Sequence, residues 1–245
     1  MPKFKIAYIL PNIFTAGSIF LAILAVIAAD NGNFERAFWL VLISALFDAL
    51  DGRVARLTKT TSQFGKEFDS LADAIAFGVV PALILHAAIG AEFGKFAILV
   101  VALYTIFGAV RLARFNIIAA TTEPNVFIGL PIPAAALFVV SLTTLVMTSE
   151  PTWGLKLTLL IAAAIVAFLM VSNIRYPSFK HIHFEKSYFL KILITLIALF
   201  SLFYLYPGEF LPIVVAAYVL LGPIRALWTI FRKRKGNKPH VEAES

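Results

Sequence analysis

The chain has 245 residues, 60% of them hydrophobic and 14% charged, with a mean hydropathy of +0.89, a net charge of +7 and no cysteine. Soluble domains run at about 45–50% apolar and about 25% charged residues, so this composition excludes a disordered chain, a fibre and an ordinary soluble enzyme. The lack of cysteine excludes disulfides, iron–sulfur clusters, thiolate zinc sites and a cysteine nucleophile. With 23 Phe and long apolar runs, the basic excess points to anionic lipid headgroups rather than to nucleic acid.

A membrane-spanning helix takes about 20 predominantly apolar residues. Eight runs qualify in chain order: Ile13–Ala29, Ala37–Ala55, Ser70–Ile89, Phe96–Ala113, Ile128–Thr148, Leu155–Ile174, Phe189–Tyr206 and Leu211–Phe231. Only short connections remain, which predicts an all-α polytopic membrane bundle of about eight helices. Residues 1–231 then form one integral-membrane domain, and residues 232–245 form a basic tail without fixed structure. Met1–Ala29 also has the basic start and apolar run of a cleaved leader, but its length and the Pro11-Asn12 pair at its head favour a retained span.

The distribution of cations supports this parse. With both termini and the connections after spans two, four and six on one side, that side holds Lys3, Lys5, Arg53, Arg56, Lys59, Lys66, Arg111, Arg114, Arg175, Lys180, Lys186, Lys191, Arg225, Arg232, Lys233, Arg234, Lys235 and Lys238. The other side keeps only Arg36, Lys95 and Lys156. Cytoplasmic loops carry the excess of Lys and Arg, so both termini are predicted to be cytoplasmic, in the cell membrane. Trp39, Trp153 and Trp228 fall near predicted span ends, as interfacial anchors do. His86, His181 and His183 are read as interfacial or loop residues, and Arg232–Lys235 as a topology anchor.

Against this apolar background four acids stand out. Asp48 and Asp51 sit toward the end of span two, Asp69 and Asp73 at the start of span three. An Asp at a helix centre costs about 2.5–3.5 kcal/mol on insertion scales, so four of them cannot face lipid. The spacings i,i+3 and i,i+4 put each pair on one helix face, with Cβ atoms about 5–6 Å apart. The polar connection Thr58–Gln63 is short enough to set the two helices side by side and antiparallel. Four carboxylates then converge where like charges need a counter-charge. A cluster of oxygen ligands alone suits hard cations such as Mg²⁺, Mn²⁺ or Ca²⁺. Gly52, Ala55 and Gly65 leave room for a ligand to approach the backbone, or for tight helix packing, and Arg56 adds a fixed cation.

Residues 48–73 read D-A-L-D-G-R-V-A-R-L-T-K-T-T-S-Q-F-G-K-E-F-D-S-L-A-D. This stretch resembles the signature of the CDP-alcohol phosphatidyltransferase family, D-x2-D-G-x2-A-R-x8-G-x3-D-x3-D, with all eight fixed positions matched by Asp48, Asp51, Gly52, Ala55, Arg56, Gly65, Asp69 and Asp73. Pro11-Asn12-Ile13-Phe14-Thr15 is similar to the family's opening at the first span. Arg111–Asn116, Gly129–Ala135 and Ser172–Tyr176 resemble its membrane-integrated, serine-using branch. The likeness runs from Pro11 to about Lys180, with the last two spans added to a six-helix core.

The resemblance implies the transfer of a phosphatidyl group from CDP-diacylglycerol to the hydroxyl of L-serine, with release of CMP. It implies two divalent cations, Mg²⁺ or Mn²⁺, held by Asp48, Asp51, Asp69 and Asp73, and a homodimer. By the same resemblance Asp73 is the catalytic base, and Asn12, Thr15, Asp48, Gly52, Ala55, Arg56 and Gly65 bind the CDP-lipid. Arg56 is placed either to pair with the phosphates or to orient an aspartate. Arg111 and Arg114, three residues apart near the end of span four, put positive charge at the same level and are candidate serine carboxylate ligands, the plainer reading being interfacial anchors. Asn116 is read as a helix-end residue. Alternatives within the same chemistry are glycerol 3-phosphate or inositol phosphate as acceptor, or an archaeal ether lipid as donor. A cation transporter is disfavoured, because the acids gather at one membrane level and spans four to eight carry none in mid-span.

Overall fold

The computed structural model describes residues 9–58, 60–118, 126–177 and 189–236. The helices are α1 (Ile9–Asp30), α2 (Phe34–Leu57), α3 (Gln63–Asp73), α4 (Val80–Phe93), α5 (Lys95–Ile118), α6 (Ile132–Thr148), α7 (Trp153–Val171), α8 (Phe189–Leu205) and α9 (Pro207–Gly236). Two three-residue strands, β1 (Val126–Ile128) and β2 (Arg175–Pro177), pair antiparallel with Phe127 opposite Tyr176. A π-helical turn over Ala74–Val79 joins α3 to α4, so the described helices form eight rods.

α1 and α2 form the most extensive helix pair among the described residues. Gly32, at φ +78°, turns the chain between them, and the Asn33 side chain caps α2 by accepting from the Arg36 amide at 3.0 Å. Ala22, Ala25, Ala28 and Ala29 bury completely or nearly so against this partner, the small-residue packing that lets membrane helices approach closely. Ser44 Oγ lies 2.9 Å from both the hydroxyl and the carbonyl oxygen of Ser18, pinning the pair along its length.

The π turn has a sequence cause. Pro81 has no amide hydrogen to give to the carbonyl four residues back, and its ring crowds that carbonyl, which belongs to Phe77. The helix widens over Ala74–Val79, and the buried Tyr104 hydroxyl of α5 donates to the Phe77 carbonyl at 3.2 Å. The distortion follows directly after Asp73, so it sets the direction in which α3 carries its last carboxylate. α6 runs through the centre of the bundle against α2, α4, α7 and α9, with Ile132, Ala135, Ala136, Val139 and Val140 buried.

Leu10–Asp30, Gln63–Phe93, Lys95–Ile117, Trp153–Val171 and Gly208–Ala226 are long and apolar enough to cross a membrane, and Ile132–Thr148 is a shorter apolar helix. Outward-facing Ile13, Phe20, Ile98, Ile165 and Phe168 are more than half exposed, a surface suited to lipid. The chain is a polytopic helical membrane protein. The eight expected runs all meet helices, but by length and composition five qualify as spans. α2 carries Glu35, Arg36, Asp48, Asp51, Arg53 and Arg56, while α6 and α8 have only 17 residues each.

Several boundaries differ from expectation. α3 starts at Gln63 rather than Ser70 because Ser62 caps it, accepting from the Gly65 amide at 3.0 Å. The fifth run does not begin as helix at Ile128: that residue is in β1, and Pro131 and Pro133 place the helix start at Ile132. The sixth helix ends at Val171, before Ile174. α9 extends to Gly236, past the expected start of the tail at residue 232. Lys3, Lys5, Lys59, Lys180, His181, His183, Lys186 and residues 237–245 lie outside the described residues.

Gly129 turns the chain between β1 and α6 at φ +77°, and a Cβ there would sit 2.3 Å from the Met170 carbonyl oxygen. Both the backbone conformation and the space demand glycine. Gly129→Ala is expected to cost at least ~2 kcal/mol. A lowered thermal midpoint of the detergent-purified variant would register this, and an unchanged midpoint would refute it.

Candidate active site

Five helix ends meet at one end of the bundle. They are the start of α1, the end of α2, the start of α3, and the ends of α5 and α7. Asp48 and Asp51 come from the last turns of α2, and Asp69 and Asp73 from the last two turns of α3. The sharp Thr58–Ser62 connection folds these segments against each other, and the four carboxylates converge as the spacings predict. One oxygen from each of Asp48, Asp51 and Asp69 lies within 4.8 Å of the others, a hard-donor set suited to a divalent cation. The fourth carboxylate, Asp73, meets that of Asp48 at hydrogen-bonding distance. Asp73 Oδ1 is buried and has no hydrogen-bond partner among the described residues. A buried, unpartnered carboxylate oxygen beside three more acids fits a site completed by a cation or a substrate donor.

α1 holds this cluster in place. The buried Thr15 hydroxyl donates to Asp51 Oδ2 at 2.7 Å, while its oxygen sits 3.2 Å from the Pro11 carbonyl oxygen. Asp51 itself is buried, with only 2% of its surface exposed. The Arg56 guanidinium, one turn on, lies close enough for its charge to act on Asp51. Fixing one carboxylate this way leaves its second oxygen free for a ligand.

Beside the carboxylates opens a cavity lined by Pro11, Asn12, Thr15, Asp51, Gly52, Ala55, Arg56, Thr60, Thr61, Ser62, Gly65, Lys66 and Asp69. Asn12, Thr15, Gly52, Ala55, Arg56 and Gly65, singled out from the sequence, therefore share one wall; Asp48 stands outside it in the carboxylate cluster. Gly65 is small of necessity, since a Cβ there would reach 3.1 Å from Ser62 Oγ and 3.5 Å from Asn12 Oδ1. Thr60, Thr61, Ser62 and Lys66 were not anticipated. Ser62 before the Gln63–Phe68 run is a helix-cap signal that reveals the α3 N-terminus facing the cavity. Unpaired N–H groups of a helix N-terminus, with Lys66 and Arg56 at hand, make this wall attractive to phosphate.

The two arginines of α5 part company. Arg111 is buried, 7% exposed, and lies near enough to Asp73 for their charges to interact. Its guanidinium carbon is 5.5 Å from the Phe115 ring centroid, and its Nε has no hydrogen-bond partner among the described residues. Arg114 instead reaches the end of α7, donating to Asn173 Oδ1 at 2.7 Å and to the Val171 carbonyl at 3.4 Å. It satisfies a helix C-terminus there, as cations do. Asn116 donates to Ser70 Oγ at 2.9 Å, tying α5 to α3 rather than capping its own helix. His86 lies exposed over Gly90 on α4, remote from the site in sequence and side-chain contact.

Comparison with known proteins agrees with this geometry. The sequence profile described as CDP-alcohol phosphatidyltransferase matches residues 8–170. The chain is 47% identical over 233 residues to the CDP-diacylglycerol–serine O-phosphatidyltransferase of Helicobacter pylori, covering 93% of this chain and 97% of that protein. It is 31% identical over 230 residues to the protein of the same name from Mycobacterium leprae, covering 91% and 70%. It is 37% identical over 170 residues to the archaetidylserine synthase of Methanothermobacter thermautotrophicus, covering 69% of each.

The Thr15–Asp51 bond yields a test of the cluster. Removing an outer hydrogen-bond partner of a metal ligand typically costs 10–100-fold in metal affinity. Thr15→Val is thus expected to weaken Mn²⁺ binding at least roughly tenfold with little loss of stability. Titration by electron paramagnetic resonance would measure it, and an unaltered affinity would remove Thr15 from any role in holding a cation.

Proposed function

We propose that this chain, which belongs to the CDP-alcohol phosphatidyltransferase family, makes phosphatidylserine: it transfers the phosphatidyl group of CDP-diacylglycerol to L-serine and releases CMP. One observation carries the reading. The four signature aspartates converge on a cavity whose wall is built from the other signature residues, in a chain 47% identical to a CDP-diacylglycerol–serine O-phosphatidyltransferase over nearly its whole length. The names of all three relatives carry serine, which supports the acceptor.

In this reading the CDP diphosphate lies along the cavity wall, met by the α3 N-terminus, Lys66 and Arg56. Asn12, Thr15, Gly52, Ala55 and Gly65 shape the space for the nucleotide. Asp48, Asp51, Asp69 and Asp73 hold the divalent cations, Mg²⁺ or Mn²⁺. When bound, such cations neutralise the diphosphate and stabilise the attacking and leaving oxygens of an in-line displacement. Asp73 accepts the proton of the serine hydroxyl as its oxygen forms a bond to the lipid-side phosphorus. The bond from that phosphorus to the bridging oxygen breaks, and CMP departs with the electron pair. The unpartnered Asp73 Oδ1 is the atom available for that proton. Arg111, next to Asp73, binds the serine carboxylate. Serine is short enough to reach both, since two carbons separate its hydroxyl oxygen from its carboxylate carbon.

The spans are eight in this reading, with α2, α6 and α8 crossing alongside the five apolar helices. The cation bias places both termini and the site at the cytoplasmic face of the cell membrane. Arg114 acts as a brace on α7 instead of an acceptor ligand.

The defining assay is CMP release by the detergent-purified protein from CDP-diacylglycerol, with serine, glycerol 3-phosphate or inositol phosphate, in the presence and absence of Mn²⁺ or Mg²⁺. Metal-dependent release with serine alone is expected. Release with another acceptor would overturn the serine pocket, and none with any acceptor would overturn the enzyme. Asp73→Asn should lower kcat by a factor of about 10²–10⁴ while leaving CDP-lipid binding measurable. Arg114→Ala should lower the thermal midpoint and leave the KM for serine unchanged; a raised KM would return Arg114 to the pocket.

A further inference from the structure

The family profile ends at residue 170, yet the buried Arg111 is faced from beyond that boundary. Tyr218, half-buried on α9, lies close enough to Arg111 for the two groups to interact electrostatically. α9 is held in that position by a specific joint. Tyr176 of β2 is fully buried, stacks on Tyr218 with ring centroids 5.7 Å apart, and donates its hydroxyl to the Val219 carbonyl at 3.1 Å. Gly222, one turn further along α9, leaves the room this ring needs, because a Cβ there would come within 2.3 Å of Tyr176 Cζ. β2 is itself fixed by pairing with β1. The joint thus sets the Tyr218 ring against the pocket floor from a helix outside the matched segment.

From this arrangement we propose that Tyr218 is a specificity-determining residue of the acceptor pocket: its phenol and the Arg111 guanidinium together bind the carboxylate of an amino-alcohol acceptor that carries one. The proposal rests on the reading of Arg111 given above. The chemistry is selective in three ways. Arg111 and Tyr218 both present N–H or O–H donors, and a carboxylate accepts from both at once. The unpartnered Nε of Arg111 marks donor capacity that the described protein groups do not use. An acceptor lacking the carboxylate would leave these buried donors unmet, which a site penalises heavily. Asp73, on the opposite side of Arg111, is then left for the hydroxyl.

Tyr218→Phe tests this, because it keeps the ring on Tyr176 and removes only the hydroxyl. CMP release is measured with L-serine and with ethanolamine, which has the same hydroxyl and amine but no carboxylate. The KM for serine should rise roughly tenfold, the size of losing one hydrogen bond to a charged group. Ethanolamine use, the KM for CDP-diacylglycerol and the thermal midpoint should stay unchanged, so discrimination between the two acceptors narrows. An unchanged serine KM overturns the proposal. So does a parallel loss with both acceptors accompanied by a lower midpoint, which would make Tyr218 a packing residue only. Arg111→Lys, run alongside, separates the layers: a raised serine KM there with none in Tyr218→Phe refutes Tyr218 alone, and no effect in either refutes the pocket.

Discussion

Mutual repulsion of four carboxylates is the constraint around which this end of the molecule is arranged. Two unit negative charges 4.8 Å apart repel by about 3–4 kcal/mol at an effective dielectric constant of about 20, and this cluster contains several such pairs. A chain would not gather them without something to offset the cost. The offset is visible in the protein groups around them: the Thr15 hydroxyl on Asp51, Arg56 one turn away, and the Arg111 guanidinium near Asp73. What these groups leave unbalanced is the free energy with which the site can hold cations and an anionic diphosphate.

The remainder of the bundle keeps those charges from drifting apart. Alanines and serines along the α1–α2 seam permit a close, hydrogen-bonded pairing, so α1 delivers Thr15 at the depth of Asp51. The Ser62 cap stops the α2–α3 connection short and starts α3 early enough to bring Asp69 and Asp73 opposite Asp48. Pro81 and Tyr104 then widen the helix just beyond Asp73 and satisfy the carbonyl that this exposes. On the far side, the joint of Tyr176, Gly222 and α9 closes the pocket around Arg111. Two walls result, one rich in helix N–H groups and cations for phosphate, the other carrying the buried donors for a small acceptor.

This division separates the chemistry common to the family from what sits outside its profile. The aspartates and the α3 cavity fall wholly within residues 8–170, whereas Tyr176 and Tyr218 come after them. Donor handling thus belongs to the shared segment, and acceptor handling draws on a helix added to it. Such an arrangement lets one phosphate-transfer core serve different alcohols by changing what packs against α5.

Local rules were enough for the membrane class, the helices and the carboxylate cluster. Span-length hydropathy reports a helix directly, and i,i+3 and i,i+4 spacings across a short turn leave four acids little choice but to meet. The eight-position signature likewise determined, from sequence alone, which residues line the CDP-side wall, because they all lie on one hairpin and the helix before it. The rest depended on partners distant in the chain. Arg111 and Arg114 are indistinguishable by spacing and composition. One is buried near Asp73 and the other braces Asn173, 59 residues on, because α7 ends beside only one of them. Tyr218 offered no signal at all, being one aromatic in an apolar run. Its place beside Arg111 follows from Tyr176 docking on Gly222, a steric fit between segments 46 residues apart that no local pattern encodes.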